Sequence, residues 1–171
     1  MILGLDISTS ITGVTVIDNK GNVVFCEAWD TRKTKNFFDK ASLIGGQLIN
    51  IRIQFPITHI VIEQSLQMFR AGFSSAKTLT LLSKFNGVVS WLCYNTFGLE
   101  PEYVSATTAR KQIGIKVPRG TKAKEVVLEH INKTVSDFEY ELTKAGNPKA
   151  GTYDRADSIV LAKYAYLTQQ Q

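Results

Sequence analysis

Residues 1–30, MILGLDISTSITGVTVIDNKGNVVFCEAWD, contain three apolar runs of alternating character: ILGLDI, TGVTVI and NVVFCEAW. Asn19-Lys20-Gly21-Asn22 supplies turn chemistry between the second and third. Alternation of period two with short turns predicts a three-stranded antiparallel meander. One residue breaks the pattern. Asp6 interrupts an otherwise apolar strand from Met1 to Ile7, and a carboxylate there is costly unless it has a partner or the strand opens to solvent at that point.

Beyond the meander the period changes. From Thr34 to Phe55 the apolar positions Phe37, Phe38, Ala41, Ile44, Leu48, Ile51 and Phe55 recur at steps of three and four, one face of a helix, with Gly45-Gly46 weakening its middle and Pro56 closing it. HIVIE at 59–63 is a short apolar run that ends on an acid, Glu63. Residues 75 to 97 form a long helical pattern through Leu79, Leu82, Phe85, Val89, Leu92 and Thr96, and Leu81, Val88 and Trp91 extend its stripe to a second side. Such a surplus implies either deep burial or a partner. A strand at 101–106 follows, then helices at 107–113, 122–133 and 153–167, punctuated by Gly114 and Pro118-Arg119-Gly120. The stretch 135–152 has the composition of a flexible loop. Antiparallel strands first, then strands alternating with helices, predict an α/β fold with a mixed sheet covered by helices.

The chain has 171 residues, 44% of them hydrophobic and 20% charged, which suits one folded domain and is far from disordered or fibrous composition. No run approaches the roughly 20 apolar residues that span a bilayer, and the first ten lack the basic start of a secretory signal, so no membrane association and a cytoplasmic location are expected. Cys26 and Cys93 stand 67 positions apart without a CxxC and with only two histidines, which supports neither a zinc site nor a disulfide framework. The 20 basic residues exceed the 15 acids by five, and the whole excess lies between Arg110 and Lys133, where Arg110, Lys111, Lys116, Arg119, Lys122, Lys124 and Lys133 face only Glu125 and Glu129. A local excess of this kind neutralises phosphates in nucleic-acid-binding proteins, although solvated basic helices share it.

Four acids need explanation together. Asp6 and Glu63 end apolar strands, and Asp154 and Asp157 are spaced i, i+3 so that one face of a helical first turn carries both. Each has an ordinary reading as a paired, capping or first-turn acid. Together they form a hard oxygen-ligand set suited to Mg²⁺ or Mn²⁺, and two such ions activate water and stabilise the leaving oxygen of a phosphodiester.

These residues resemble the RuvC-like Holliday-junction resolvases of the ribonuclease H-like superfamily. The resemblance covers most of the chain: GLDIS with Thr12-Gly13, VIEQ at 61–64, TLTLLSKFNGVV at 78–89, YVSATTARKQIG at 103–114, KEVV at 124–127 and YDRADSIVLA at 153–162. It implies a ribonuclease H-like mixed five-stranded sheet whose first three strands are antiparallel, flanked by helices. It also implies a Mg²⁺-dependent endodeoxyribonuclease, with Mn²⁺ as a substitute and two ions per site, that makes paired nicks in branched DNA as a homodimer. Asp6, Glu63, Asp154 and Asp157 match the family's metal-binding carboxylates. Lys124 matches a lysine near the scissile phosphate and Lys111 another, with Lys122 as a register alternative. Arg110, Lys116, Arg119, Phe69 and Arg70 are further candidate DNA contacts. Where bacterial relatives carry a stacking aromatic three residues after the second acid, this chain has Leu66, with Met68 and Phe69 beyond.

The helix at 75–97 is the candidate dimer face, with burial inside the monomer as the alternative. His59 and His130 read more readily as structural than as acid/base groups. Ser8, Thr9 and Ser10 fit a phosphate-facing turn and an ordinary turn equally. A phage or viral source suits so compact a chain. Competing functions are a ribonuclease acting on RNA·DNA hybrids, a non-catalytic junction-binding protein, and an actin-like or sugar-kinase-like half domain, which would lack the second domain needed to close over a nucleotide.

Overall fold

The structure, a computed structural model, describes residues 1–64 and 76–170. The elements run β1 (Ile2–Asp6), β2 (Ile11–Ile17), β3 (Val23–Asp30), α1 (Phe37–Gln54), β4 (His59–Glu63), α2 (Ala76–Phe97), β5 (Glu102–Val104), α3 (Ala106–Gln112), α4 (Ala123–Thr134) and α5 (Thr152–Gln169). The five strands form one sheet in the order β3-β2-β1-β4-β5. β1, β2 and β3 pair antiparallel, whereas β4 joins β1 in parallel and β5 joins β4 in parallel. The meander expected from the first thirty residues, and the mixed sheet expected from the strands and helices that follow it, are both present.

Local chemistry sets the boundaries. α1 begins at Phe37 rather than Thr34 because Asn36 accepts from the backbone N–H groups of Phe38 and Asp39, the usual work of an N-cap. β5 is three residues long because Ser105 caps α3 by accepting from Thr108 N–H. Residues 135–151 hold no helix or named strand, only an isolated bridge between Leu142 and Pro148, yet Phe138 enters the core at 5% exposure.

Strand alternation sorts the side chains onto two faces. Leu3, Leu5, Val14, Val16, Ile60 and Ile62 pack against α1 and α2, together with Ile44, Leu48, Ile51, Phe85 and Val89. Ile2, Ile17, Val61 and Val104 pack against α4 and α5, with Val127, Ile131, Ile159 and Leu161. At about 25 cal/mol per Å² of apolar surface removed from water, these two layers supply most of the stabilisation. Asp6 shares the parity of Ile2, and Glu63 that of Val61, so both acids belong to the α5 face.

α5 lies unusually close to the sheet. A Cβ on Gly13 would overlap the Asp154 carbonyl oxygen, and one on Gly4 would stand 2.6 Å from that of Ser158. Glycine at these two positions is therefore a steric requirement. Thr15 Oγ1 and Ser158 Oγ, both fully buried, share a 2.7 Å hydrogen bond across the same contact.

α2 resolves the choice between burial and partner on one side. Phe85, Val89 and Cys93 are fully buried, but Leu81 is 42% exposed, Trp91 60% and Tyr94 56%. Among the described residues no helix is long and apolar enough to cross a membrane. Cys26 and Cys93 are free thiols, and burial pushes the Cys93 thiol up to about 12.

Candidate active site

The carboxyl ends of β1 and β4 lie side by side, because the parallel register runs from Ile2 opposite His59 to Leu5 opposite Ile62, and its next step brings Asp6 beside Glu63. On its other flank Asp6 pairs with Gly13 of β2. Since Gly13 is also where α5 touches the sheet, the N-terminal end of that helix, with Asp154 in its first turn and Asp157 in the next, lies over the strand ends. Gly151, in the left-handed region at φ 88°, makes the turn into the helix, and a Cβ there would stand 2.6 Å from Ala28 Cβ.

The four carboxylates sense one another. Burial raises the affinity of Asp6 for its proton well above the ordinary carboxylate range, reinforced by the charges of Glu63, Asp157 and Asp154 and opposed by Arg110. Glu63 is pushed up to about 7, first by burial and then by Asp157. Asp157 and Asp154 are also raised, chiefly by burial. Burial first, and mutual repulsion second, thus work against ionising all four acids at once, with Arg110 and Arg32 as the opposing cations. That donor chemistry, all hard oxygen in a partly buried setting, fits a divalent cation. Among the described residues, however, no three His, Cys, Asp or Glu side chains are already placed to hold a metal ion.

The basic residues divide into two kinds. Lys111, Lys116, Arg119, Lys122 and Lys124 are exposed, along the end of α3, the loop to α4 and the start of α4. Lys122 pairs with Glu125 at 3.0 Å. Lys124 Nζ sits 4.7 Å from the centroid of the Tyr153 ring, which ties the basic run to the residue preceding Asp154. Arg110 differs from the rest. It turns inward, and its Nη2 donates to Asp157 Oδ1 at 3.2 Å. Phe69 and Arg70 lie outside the described residues.

Several other expectations are settled by geometry. His59 pairs with Glu102 at 2.8 Å across β4 and β5, at the opposite end of β4 from Glu63, which is a structural role. Ser8 Oγ accepts from the N–H groups of Ser10 and Ile11 and donates to the Ile11 carbonyl, so it organises the β1–β2 turn. Lys40 Nζ donates to the Thr9 carbonyl in the same turn. Residues that sequence reasoning missed are Arg32, whose charge Asp154 senses from the end of β3, and Tyr153. Arg32 had a visible signal, since Asp30 and Arg32 sit where the third strand ends.

No family model matches the sequence, and no curated protein matches it either. Solved structures do. A Thermus thermophilus RuvC in complex with a Holliday junction substrate superposes with a TM-score of 0.67 at 13% identity, covering 99% of this chain and 94% of that one. This chain has the RuvC fold. A second Thermus thermophilus RuvC structure gives 0.65 at 15% identity over 99% and 95% of the two chains. The yeast mitochondrial Holliday junction resolvase Ydc2 gives 0.58 at 18% identity over 98% and 80%. The ribonuclease H-like sheet read from the sequence is therefore the fold observed, while Thermus and yeast neighbours lend a phage or viral source no support.

Proposed function

We propose that the chain is a structure-selective DNA endonuclease that resolves four-way junctions by metal-assisted phosphodiester hydrolysis, as one nuclease domain acting in a homodimer. The observation that carries this reading is the meeting of Asp6, Glu63, Asp154 and Asp157 at one end of a sheet that matches RuvC bound to a Holliday junction substrate over 99% of the chain.

Asp6, Glu63, Asp154 and Asp157 are the residues that would hold Mg²⁺ or Mn²⁺, two ions to a site, and when bound the ions supply an activated water and compensation for charge developing at the phosphate. The protein's own contribution is position. β1 and β4 fix two carboxylates in register, and the Gly13 contact fixes the height of α5 above them. Lys124, held over the Tyr153 ring beside Asp154, is assigned the neutralisation of a non-bridging phosphate oxygen. Lys111, Lys116, Arg119 and Lys122 extend this into an exposed rail for the DNA backbone. Such contacts set register and carry no base information. A four-way junction offers two equivalent strands, so a two-fold dimer presents one site to each, and the exposed Leu81, Trp91 and Tyr94 face of α2 is the candidate contact.

The deciding experiment offers a labelled four-way junction, a Y-fork, a linear duplex and an RNA·DNA hybrid with Mg²⁺, with Mn²⁺ and with chelator. Paired, metal-dependent nicks in opposite junction strands are expected. Cutting of the hybrid alone would move the protein to ribonuclease chemistry, and tight junction binding without cutting would make it a binding protein.

A further inference from the structure

Arg110 belongs by sequence to the basic run, and its neighbours in that run face solvent. Its own side chain is only 20% exposed and enters the acid cluster. The backbone explains the inward turn: α3 packs on α5, and the fully buried Ala109 beside Arg110 anchors that contact.

The pairing with Asp157 is incomplete in a telling way. A guanidinium carries five N–H donors in a planar fork, and its strong pairs with carboxylates use two of them in parallel. Here one donor, Nη2, reaches Asp157 Oδ1, while Arg110 Nε is buried and has no hydrogen-bond partner among the described residues. The arginine has thus been taken out of water without receiving the fork-to-fork pairing that normally offsets the loss. What it gains is its surroundings: Asp6, Glu63 and Asp157 all feel its positive charge. A cation held by one oxygen of an acid that another cation needs is a competitor for that acid.

We propose that Arg110 is a built-in, exchangeable counter-cation: in the metal-free protein it holds Asp157, and it releases that carboxylate when a divalent ion is taken up. This rests on the proposed role of the carboxylates as metal ligands. Arg110 is then a positioning residue that keeps the acids ordered and spaced until the ion arrives. The guanidinium freed in the exchange stays at the site with its donors available to a phosphate.

The test uses Mn²⁺ alone, without DNA, titrated into the full chain by calorimetry. Arg110→Met removes the competitor, and its affinity for Mn²⁺ is expected to rise about tenfold, the loss of one hydrogen bond between charged groups. In chelator the same variant is expected to melt below the wild type, and saturating Mn²⁺ is expected to close that gap. Arg110→Gln removes the charge while keeping polarity, and serves the same titration should the Met variant not fold. A second readout is the Arg110 Nε–H resonance, assigned by its absence in Arg110→Lys, which shifts on addition of Mg²⁺ if the contact is exchanged. Unchanged or weaker Mn²⁺ binding by a folded variant overturns the exchange and leaves the metal site standing. Absence of Mn²⁺ uptake by the wild type overturns both.

Discussion

The two faces of the sheet are built on opposite principles. Against α1 and α2 the strands present Leu3, Leu5, Val14, Val16, Ile60 and Ile62, bulky side chains that fill a thick layer with Phe85 and Leu48. Against α5 they present Gly4 and Gly13, and the helix answers with Ala156, Ser158 and Ala162. The first layer maximises buried area and tolerates substitution of one apolar shape by another. The second lets backbone meet backbone, so the height of α5 above the strand ends is fixed by contact rather than by volume. The carboxylates sit only on this second face.

Breaking the close-packed face at its chemistry has the largest expected effect. Asp6→Asn or Glu63→Gln is expected to cut the cleavage rate by more than the roughly 100-fold that loss of a ligand's supporting partner costs, while junction binding persists or strengthens because phosphate repulsion falls. Parallel cleavage and gel-shift assays check it, and active variants would remove both acids from the site.

Glycine substitutions sharpen the contrast between the faces. Gly13→Ala, whose methyl would collide with the Asp154 backbone, is expected to cost at least about 3 kcal/mol and to disturb the site. Gly46→Ala in α1, with nothing within 4 Å of the new methyl, is expected to stabilise by about 0.5–1 kcal/mol. Denaturant melts of the two variants would show shifts of opposite sign.

On the α2 side, Leu81→Ser with Trp91→Ser is expected to yield folded monomers by light scattering, since both side chains are exposed and neither fills the core. Dimers of normal stability would place the interface elsewhere. Lys122→Ala with Lys124→Ala is expected to lower the slope of log affinity against log salt by about two, one for each phosphate left without its lysine.

The last expectation concerns pH. Glu63 holds its proton up to about 7 in the folded chain against an ordinary value of 4.5, and Asp6, Asp154 and Asp157 shift in the same direction. The folded state therefore binds more protons than the unfolded one between about pH 4.5 and 7, so the metal-free protein loses stability as pH rises through that window. Melting in chelator at pH 5 and pH 8 is expected to show the lower temperature at pH 8, and Mg²⁺ is expected to recover it if the acids bind the ion.

The sheet was legible because a polar residue stands out in a period-two apolar run, which is how Asp6 and Glu63 declare themselves. The i, i+3 acids of α5 were legible for the corresponding helical reason. Arg110 was not, because one member of a basic run looks like the next until α3 docks on α5 and turns it inward. The exposure of Trp91 was equally hidden, since a helix apolar on two sides reads the same whether the second side meets core or water. Gly13 was visible as part of a hairpin, but its steric role depends on a helix about 140 positions later.

That separation has a consequence for synthesis. β1 and β2 are made before α5, and α5 can dock on Gly4 and Gly13 only after everything between has been made. Two of the four acids travel with that helix. A nascent chain therefore carries an incomplete carboxylate set however well its meander has formed, and a site of this design comes into existence only once α5 has docked.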